Sequence, residues 1–227
     1  MSHDAKLILA PTRHWPAGKI KTVLTDSIKT SIFALALMLA GCSEAPKKAA
    51  EKAPEKPPEA VTGQYALHQM YTVARSWAPD AQPLRLNSIL LPEVKSEPGK
   101  AGAWQATFVS QQKGRARSYT YSVIEAEGNL HKGTFAGPEE SWTGPRGPNK
   151  PFLMAAVRTD TDAAYKTALG KGLEYSKKHP DMPINVLLES GDFPNPAWRI
   201  IWGQSVGTSS FSIYVDASTG DYVRTMR

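Results

Sequence analysis

The chain is predicted to be α+β, with two copies of one unit in which a helix is followed by three antiparallel strands on a small sheet. Three observations predict this. Two segments carry apolar residues at helical spacing, and both stop at a proline. Each is followed by segments that alternate with a period of two. The order helix stop, further proline, tryptophan-led strand and glycine turn then occurs twice. An apolar leader and a charged tether precede the units, so the 227 residues divide into 1–41, 42–62, 63–137, 138–159 and 160–227.

The first of these segments reads as a processed leader. Residues 32–40 are uncharged and apolar, with Lys19, Lys21 and Lys29 upstream. A basic stretch, a short apolar core and small residues at the cut make a secretory signal peptide. The run is about half of the roughly 20 residues that a membrane-spanning helix needs. It ends in Leu39-Ala40-Gly41-Cys42, which resembles the lipobox of bacterial lipoproteins. That resemblance implies cleavage between Gly41 and Cys42 and covalent lipid on Cys42, where two or three acyl chains anchor stably and one would bind reversibly. It also implies a cell-envelope location. In a diderm this is the outer membrane facing the periplasm, because Ser43 and Glu44 lack the inner-membrane retention aspartate; in a monoderm it is the outer leaflet of the cell membrane. Residues 1–18 do not read like a signal n-region, so either that region is long or translation starts near Val23 or Leu24.

Cys42 is the one cysteine, so no disulfide forms within the chain and burial must hold the fold together. The formal charge of +6 shrinks once the leader is set aside. Lys6, Arg13, Lys19, Lys21 and Lys29 against Asp4 and Asp26 leave the remainder near +3. That is no argument for nucleic-acid binding. Residues 43–62 hold four prolines, and their four lysines and four glutamates cancel, which describes a solvated spacer. At polyproline geometry it reaches about 60 Å.

The first helix is expected over 65–77, with Ala66, Met70, Val73, Ala74 and Trp77 on one face, stopping at Ala78-Pro79. The second is expected over 160–178, with Ala164, Tyr165, Ala168, Leu169, Gly172 and Leu173 on one face. Asp160 or Thr161 is its expected N-cap, and His179-Pro180 its stop. Alternation then marks Leu84, Leu86, Ser88 and Leu90 in one unit, and Ile184, Val186 and Leu188 in the other. Hairpins follow at Trp104-Ala106-Phe108 with Tyr119-Tyr121-Val123, and at Trp198-Ile200-Trp202 with Phe211-Ile213-Val215. The equal spacing of Tyr119 to Gly128 and Phe211 to Gly220 aligns Tyr121 with Ile213 and Val123 with Val215.

The second unit carries Val215-Asp216-Ala217 and Thr219-Gly220-Asp221 at the end of a tryptophan-led hairpin. In this it resembles the PepSY family. The first unit departs from that pattern: Ile124-Glu125-Ala126-Glu127-Gly128 keeps the glycine and loses the aspartate. The motif has a physical reason, since Asp and Thr-Gly build a tight turn with positive φ at glycine. The resemblance brings no catalytic residues. It implies a non-catalytic protein- or peptide-binding module that modulates an envelope peptidase. The alternative is a structural or self-associating envelope lipoprotein.

Several local patterns compete with that reading. Gly203-Gln204-Ser205-Val206-Gly207 fits G-x-S-x-G, and a serine hydrolase using Ser205 is a remote alternative. The motif works only at a strand-to-helix turn, whereas Phe211 to Val215 reads as a strand, so a hairpin loop is expected. Asp216, Ser218, Gly220 and Asp221 lack the twelfth-position glutamate of a calcium loop. His68, His131 and His179 sit at no ligand spacing, so no metal is expected. Gly170-Lys171-Gly172 falls inside a helix and favours close packing over phosphate binding. No cofactor is implied beyond the lipid on Cys42. Lys113, Arg115 and Arg117 at one hairpin tip, and Trp142 within the Gly/Pro-rich stretch 137–151, are the candidate partner-binding residues. The cations suit anionic headgroups or an acidic partner, though a solvated tip that discourages edge pairing is the plainer reading. Trp142 is expected to dock on one of the units. The partners expected are the membrane, through the anchor, and an envelope protein or peptidase.

Overall fold

The computed structural model describes residues 57–227 apart from Ser96, Asn129 and Pro148. The expected leader, the Gly41/Cys42 cleavage and lipidation site and most of the tether lie outside the described residues. Along the chain come β1 (Val61–Thr62), α1 (Gly63–Trp77), β2 (Gln82–Ile89), β3 (Lys100–Ala101), β4 (Ala103–Ser110), β5 (Arg115–Ser122) and β6 (Gly133–Ser141). A 3-10 turn at Met154–Ala156 leads to α2 (Thr161–Lys178), then β7 (Ile184–Glu189), β8 (Ala197–Trp202), β9 (Phe211–Asp216) and β10 (Tyr222–Met226).

Both helices form where the apolar spacing places them. α1 buries Ala66, Leu67, Met70 and Ala74, one turn apart down a single stripe. That stripe is turned slightly from the expected one: Leu67 is inside, and Val73 is 39% exposed. α2 buries only small residues, Thr161, Ala164, Ala168 and Gly172, and leaves Leu173 42% exposed. Small size lets this helix lie close on the sheet. A Cβ on Gly172 would stand 3.1 Å from Ile213 Cδ1 and 3.2 Å from Trp202 Cη2. Asp160 is the N-cap of α2, and its Oδ1 accepts from Thr161 N at 2.7 Å.

The sheet corrects the expectation of two small three-stranded sheets. β2 and β4–β10 form one eight-stranded antiparallel sheet in the order β10-β9-β8-β7-β2-β4-β5-β6, and β1 pairs separately with β3. The junction between β2 and β7 is three residue pairs, Arg85↔Glu189, Leu86↔Leu188 and Asn87↔Leu187. α1 is thus followed by four strands of one half of the sheet, and α2 by the four of the other. The added strands, β6 and β10, carry poor strand signals. β6 includes Gly133, Gly137 and Pro138, and a bulge at Val223 breaks the alternation of β10. β6 also reaches into the stretch expected to be an irregular connection, which leaves residues 142–160 to bridge the halves.

Both helices pack on the same face of the sheet. One continuous core there joins Trp104, Phe108 and Tyr119 under α1 to Trp198, Ile200, Trp202 and Ile213 under α2, with Leu86 and Leu188 at the junction. Each principal tryptophan is fixed in the same manner. Trp104 Nε1 donates to Val61 O at 3.1 Å, two residues before α1 begins. Trp198 Nε1 donates to Thr159 O at 2.7 Å, two residues before α2 begins. The register sets Trp104 opposite Tyr121 and Trp198 opposite Val215. With the tryptophans taken as equivalent, Tyr121 corresponds to Val215, and the alignment of Tyr121 with Ile213 is displaced by two residues.

The helix starts meet. Asp160 Oδ1 also accepts from Gln64 N at 3.0 Å, and Thr161 Oγ1 accepts from Gly63 N at 2.9 Å. Thr161 Oγ1 in turn donates to Gly99 O at 2.5 Å. Gly99 has φ +72°, and any Cβ there would lie 2.5 Å from Thr161 O, so glycine is required at this approach. Among the described residues, no helix is long and apolar enough to cross a membrane.

Candidate functional site

The four candidate partner-binding residues do not form one site. Lys113 lies in the β4–β5 turn and Arg115 and Arg117 on β5, at the edge where α1 packs on the sheet. There Lys113 Nζ lies 5.4 Å from the Trp77 ring, and Trp77 Nε1 donates to Glu139 Oε1 at 2.8 Å. Arg117 Nε donates to Gly137 O at 2.8 Å, and Arg115 Nη1 to Ser141 Oγ at 3.3 Å. These cations brace β6 and α1 against the hairpin. Trp142 is on the opposite face, half-buried against Leu84, Val109 and Ala116. It docks on the sheet, and its backbone N–H is held by Gly114 O at 3.0 Å. The spacing in sequence could not separate the two faces, because Trp142 directly follows β6, a strand that the pattern did not reveal.

Asp80 anchors the same hairpin tip. Its carboxylate accepts from Gln112 N at 3.0 Å and Ser110 Oγ at 2.6 Å. These bonds, the Gln112 amide foremost, hold its pKa below the ordinary carboxylate value.

Ser205 lies in the exposed loop between β8 and β9, so the G-x-S-x-G stretch is a hairpin connection. Its Oγ is 2.9 Å from Thr208 Oγ1 and accepts from Thr208 N at 3.3 Å; these are its side-chain partners among the described residues. His68 Nδ1 contacts Gln64 O, His131 Nδ1 contacts Glu125 Oε1 and His179 lies against the Tyr175 ring. Among the described residues no three His, Cys, Asp or Glu side chains converge as metal ligands.

Asp216 builds the turn after β9. Oδ1 accepts from Ser218 N at 2.7 Å and Thr219 N at 3.0 Å, and Oδ2 from Asn195 Nδ2 at 3.0 Å. Gly220, at φ +83°, returns its N–H to Asp216 O at 2.8 Å. Burial works to raise the Asp216 pKa, but the Asn195, Ser218 and Thr219 bonds outweigh it and the net direction is down.

The surfaces left for recognition are the helix-free face of the sheet and its two outer edges. On that face, Tyr214 is the centre of a polar and aromatic cluster. Its hydroxyl donates to Glu189 Oε1 at 2.9 Å. The Arg199 and Arg224 guanidinium carbons lie 5.4 and 5.1 Å from its ring, and Arg224 also lies 4.7 Å from the Phe193 ring. Burial pushes the Tyr214 phenol pKa up. Beside this cluster a groove of about 460 Å³ runs over the β2–β7 junction, rimmed by the Ser205 loop.

The edges differ. The outer edge of β6 carries Gly137, Pro138, Glu139 and Glu140, a combination that resists pairing with another strand. The outer edge of β10, Tyr222-Val223-Arg224-Thr225-Met226, has neither proline nor glycine, and every residue has a backbone N–H. Cations gather there: Arg224 and Arg227 belong to it, and Lys171 Nζ lies 5.4 Å from the Tyr222 ring. Nothing in the sequence marked this edge, because a five-residue terminal strand with a bulge gives no clear period. Comparison with protein families, curated proteins and solved structures finds no match to this chain.

Proposed function

We propose that this is a cell-envelope protein, lipid-anchored through Cys42, that binds a protein or peptide without transforming it, by adding a strand of its partner to β10. The observation that carries the reading is the contrast of the two sheet edges. One is guarded by proline and acidic side chains, and the other is free of proline and glycine and cationic. Strand addition draws affinity from main-chain hydrogen bonds and specificity from alternating side chains. Arg224 and Arg227 suit an extended segment with acidic residues. Modulation of an envelope peptidase is one role such binding would serve.

The kinship to PepSY-like units, used twice, belongs to this proposal. It is supported by the matching bonds from Trp104 and Trp198 to the carbonyls two residues before α1 and α2. It is supported again by the mirrored strand order on either side of the β2–β7 junction. A self-associating lipoprotein is the weaker reading. Two antiparallel β10 edges would bring the Arg224 and Arg227 cations of both copies together, and like charges on paired strands repel.

Photocrosslinkers placed at Arg224 and at Glu139 in the full-length, membrane-anchored chain test the proposal. Position 224 is expected to capture one partner reproducibly, position 139 none, and Thr225→Pro to abolish the capture. Equal capture at both positions, or capture untouched by Thr225→Pro, overturns strand addition at β10. Cys42→Ser is expected to release the chain from the membrane fraction and end palmitate labelling. Retention of both by that variant removes the anchor from the reading.

A further inference from the structure

We propose that the groove over the β2–β7 junction binds the carboxylate end of an extended peptide, with Arg85 as its anchor. Its anchor strand, β2, is four strands from β10 in the sheet order, about 19 Å at ordinary strand spacing, and the groove does not depend on strand addition there.

The register explains why Arg85 is available. Arg85 on β2 stands directly opposite Glu189 on β7, a cross-strand position where opposite charges pair. Glu189 is drawn instead to the Tyr214 hydroxyl, at 2.9 Å. Among the described residues, no carboxylate forms an ion pair with Arg85. Other arginines of the sheet are occupied: Arg117 bonds Gly137 O and Arg199 bonds Ser212 Oγ. Arg85 is exposed and is one of the residues that line the groove.

Its neighbours complete a donor and acceptor set. Asn87 follows Arg85 by two on the same strand face, and Gln105 of β4 is directly opposite Asn87. Neither carboxamide has a side-chain hydrogen bond among the described residues, and each offers both donors and an acceptor. Leu187 and Ile201, almost fully buried, supply an apolar lining, to which Val206 of the β8–β9 loop adds. The rim is held in place beforehand. Asn185 Nδ2 donates to Gly203 O at 2.7 Å and to Gln204 O at 3.1 Å, which fixes the loop over the groove.

One guanidinium beside two neutral carboxamides suits a monoanion. A carboxylate meets the guanidinium through two parallel hydrogen bonds, whereas a phosphate dianion calls for more than one cation. The carboxamides match the donor and acceptor of the preceding peptide group, and the apolar lining takes an aliphatic side chain. No aromatic ring lines the groove, so a sugar or base would find no stacking surface.

The test uses the full-length chain in detergent micelles at neutral pH and low ionic strength, titrated calorimetrically. The probes are acetyl-tetraalanine with a free C-terminal carboxylate, the same peptide as its C-terminal amide, and sodium acetate. The free acid is expected to bind, with the amide at least about tenfold weaker, the loss that follows from removing a charged hydrogen-bond pair. Acetate alone is expected to bind more weakly than the peptide. Arg85→Gln is expected to lose about tenfold in affinity for the acid, and Arg85→Lys to fall between, keeping the charge without the fork. Thermal melting confirms that both variants fold. The proposal is overturned if the amide binds as well as the acid, if Arg85→Gln binds unchanged, if acetate equals the peptide, or if the acid shows no saturable binding at millimolar concentration.

Discussion

The two halves of the sheet close the turn after their third principal strand with different chemistry at the same position. Ala197 pairs with Asp216 beside Trp198, and Ala103 pairs with Ser122 beside Trp104. Asp216 gathers two backbone amides and the Asn195 carboxamide, and the turn is closed five residues on. It is then fastened to the segment ahead of α2, where Ala217 O accepts from Arg158 N and Thr159 N, and Ser218 Oγ donates to Ala156 O. Ser122 makes a smaller version of the same arrangement. Its Oγ accepts from Ile124 N at 3.3 Å and donates to Ile124 O at 2.6 Å. The chain then takes a longer route to β6, steadied by Leu130 packing with Leu91, Val94 and Ala103. A carboxylate with several acceptor sites supports a tight turn that docks on a helix start; the hydroxyl reaches only Ile124, and apolar burial must do the rest.

If the halves are equivalent below these turns, Trp104→Ala and Trp198→Ala should each cost about 3–5 kcal/mol, the range for deleting a buried large side chain. Urea unfolding of the full chain measures both, and markedly unequal losses would break the equivalence. Asp160→Ala should come next, at about 2 kcal/mol, because it uncaps one helix and removes an acceptor from the other. Asp160→Asn, which keeps an acceptor but loses the charge at two helix N-termini, should cost less. A penalty no larger than that of Asp162→Ala, whose carboxylate accepts only from Ala163 N, would show that the shared cap is not felt.

The smallest effect separates the turns themselves. Asp216→Ala should cost about 1–2 kcal/mol at pH 7 and Ser122→Ala about 0.5–1 kcal/mol. Only the first should depend on pH. The folded-state pKa of Asp216 lies below its ordinary value of 3.8, so its contribution is fully present above that value and is lost as pH falls through the folded pKa. The gap between wild type and Asp216→Asn should therefore shrink on the acid side of pH 4, while that for Ser122→Ala stays flat. Denaturation midpoints measured from pH 7 to pH 2 decide this, and a constant gap for Asp216→Asn would remove the charge from the account.

Much of this architecture was readable from local pattern. Both helices, the Asp160 cap, six principal strands and the hairpin nature of the Ser205 loop follow from spacing, proline placement and turn chemistry within a few residues. The rest depends on contacts distant in sequence. The fusion of the sheet rests on three pairs between β2 and β7, about a hundred residues apart in the chain, and no periodicity encodes a partner. Alignment on the glycines Gly128 and Gly220 hid the correspondence of Ser122 with Asp216, because the loop after β5 is longer and displaces its glycine. Leu67 rather than Val73 turns inward because the neighbouring strands, not the helix alone, set the buried stripe. The candidate groove was half visible: Ser205 and its loop stood out in sequence for a motif that needs a strand-to-helix turn and here joins two strands, while Arg85, Asn87 and Gln105 look like ordinary solvated strand residues until the register sets them side by side.

The carboxylate shared by two helix starts has a consequence for how the molecule comes apart. The first half takes the acceptors for the start of α1 from Asp160 and Thr161 of the second, and Leu86 and Leu188 each rest on a neighbour from across the seam. Severing the backbone within the exposed bridge at 145–147 would therefore yield two fragments that stay clasped and melt together, since either one alone would bare a strip of oily surface and the first would also orphan the amides of Gly63 and Gln64.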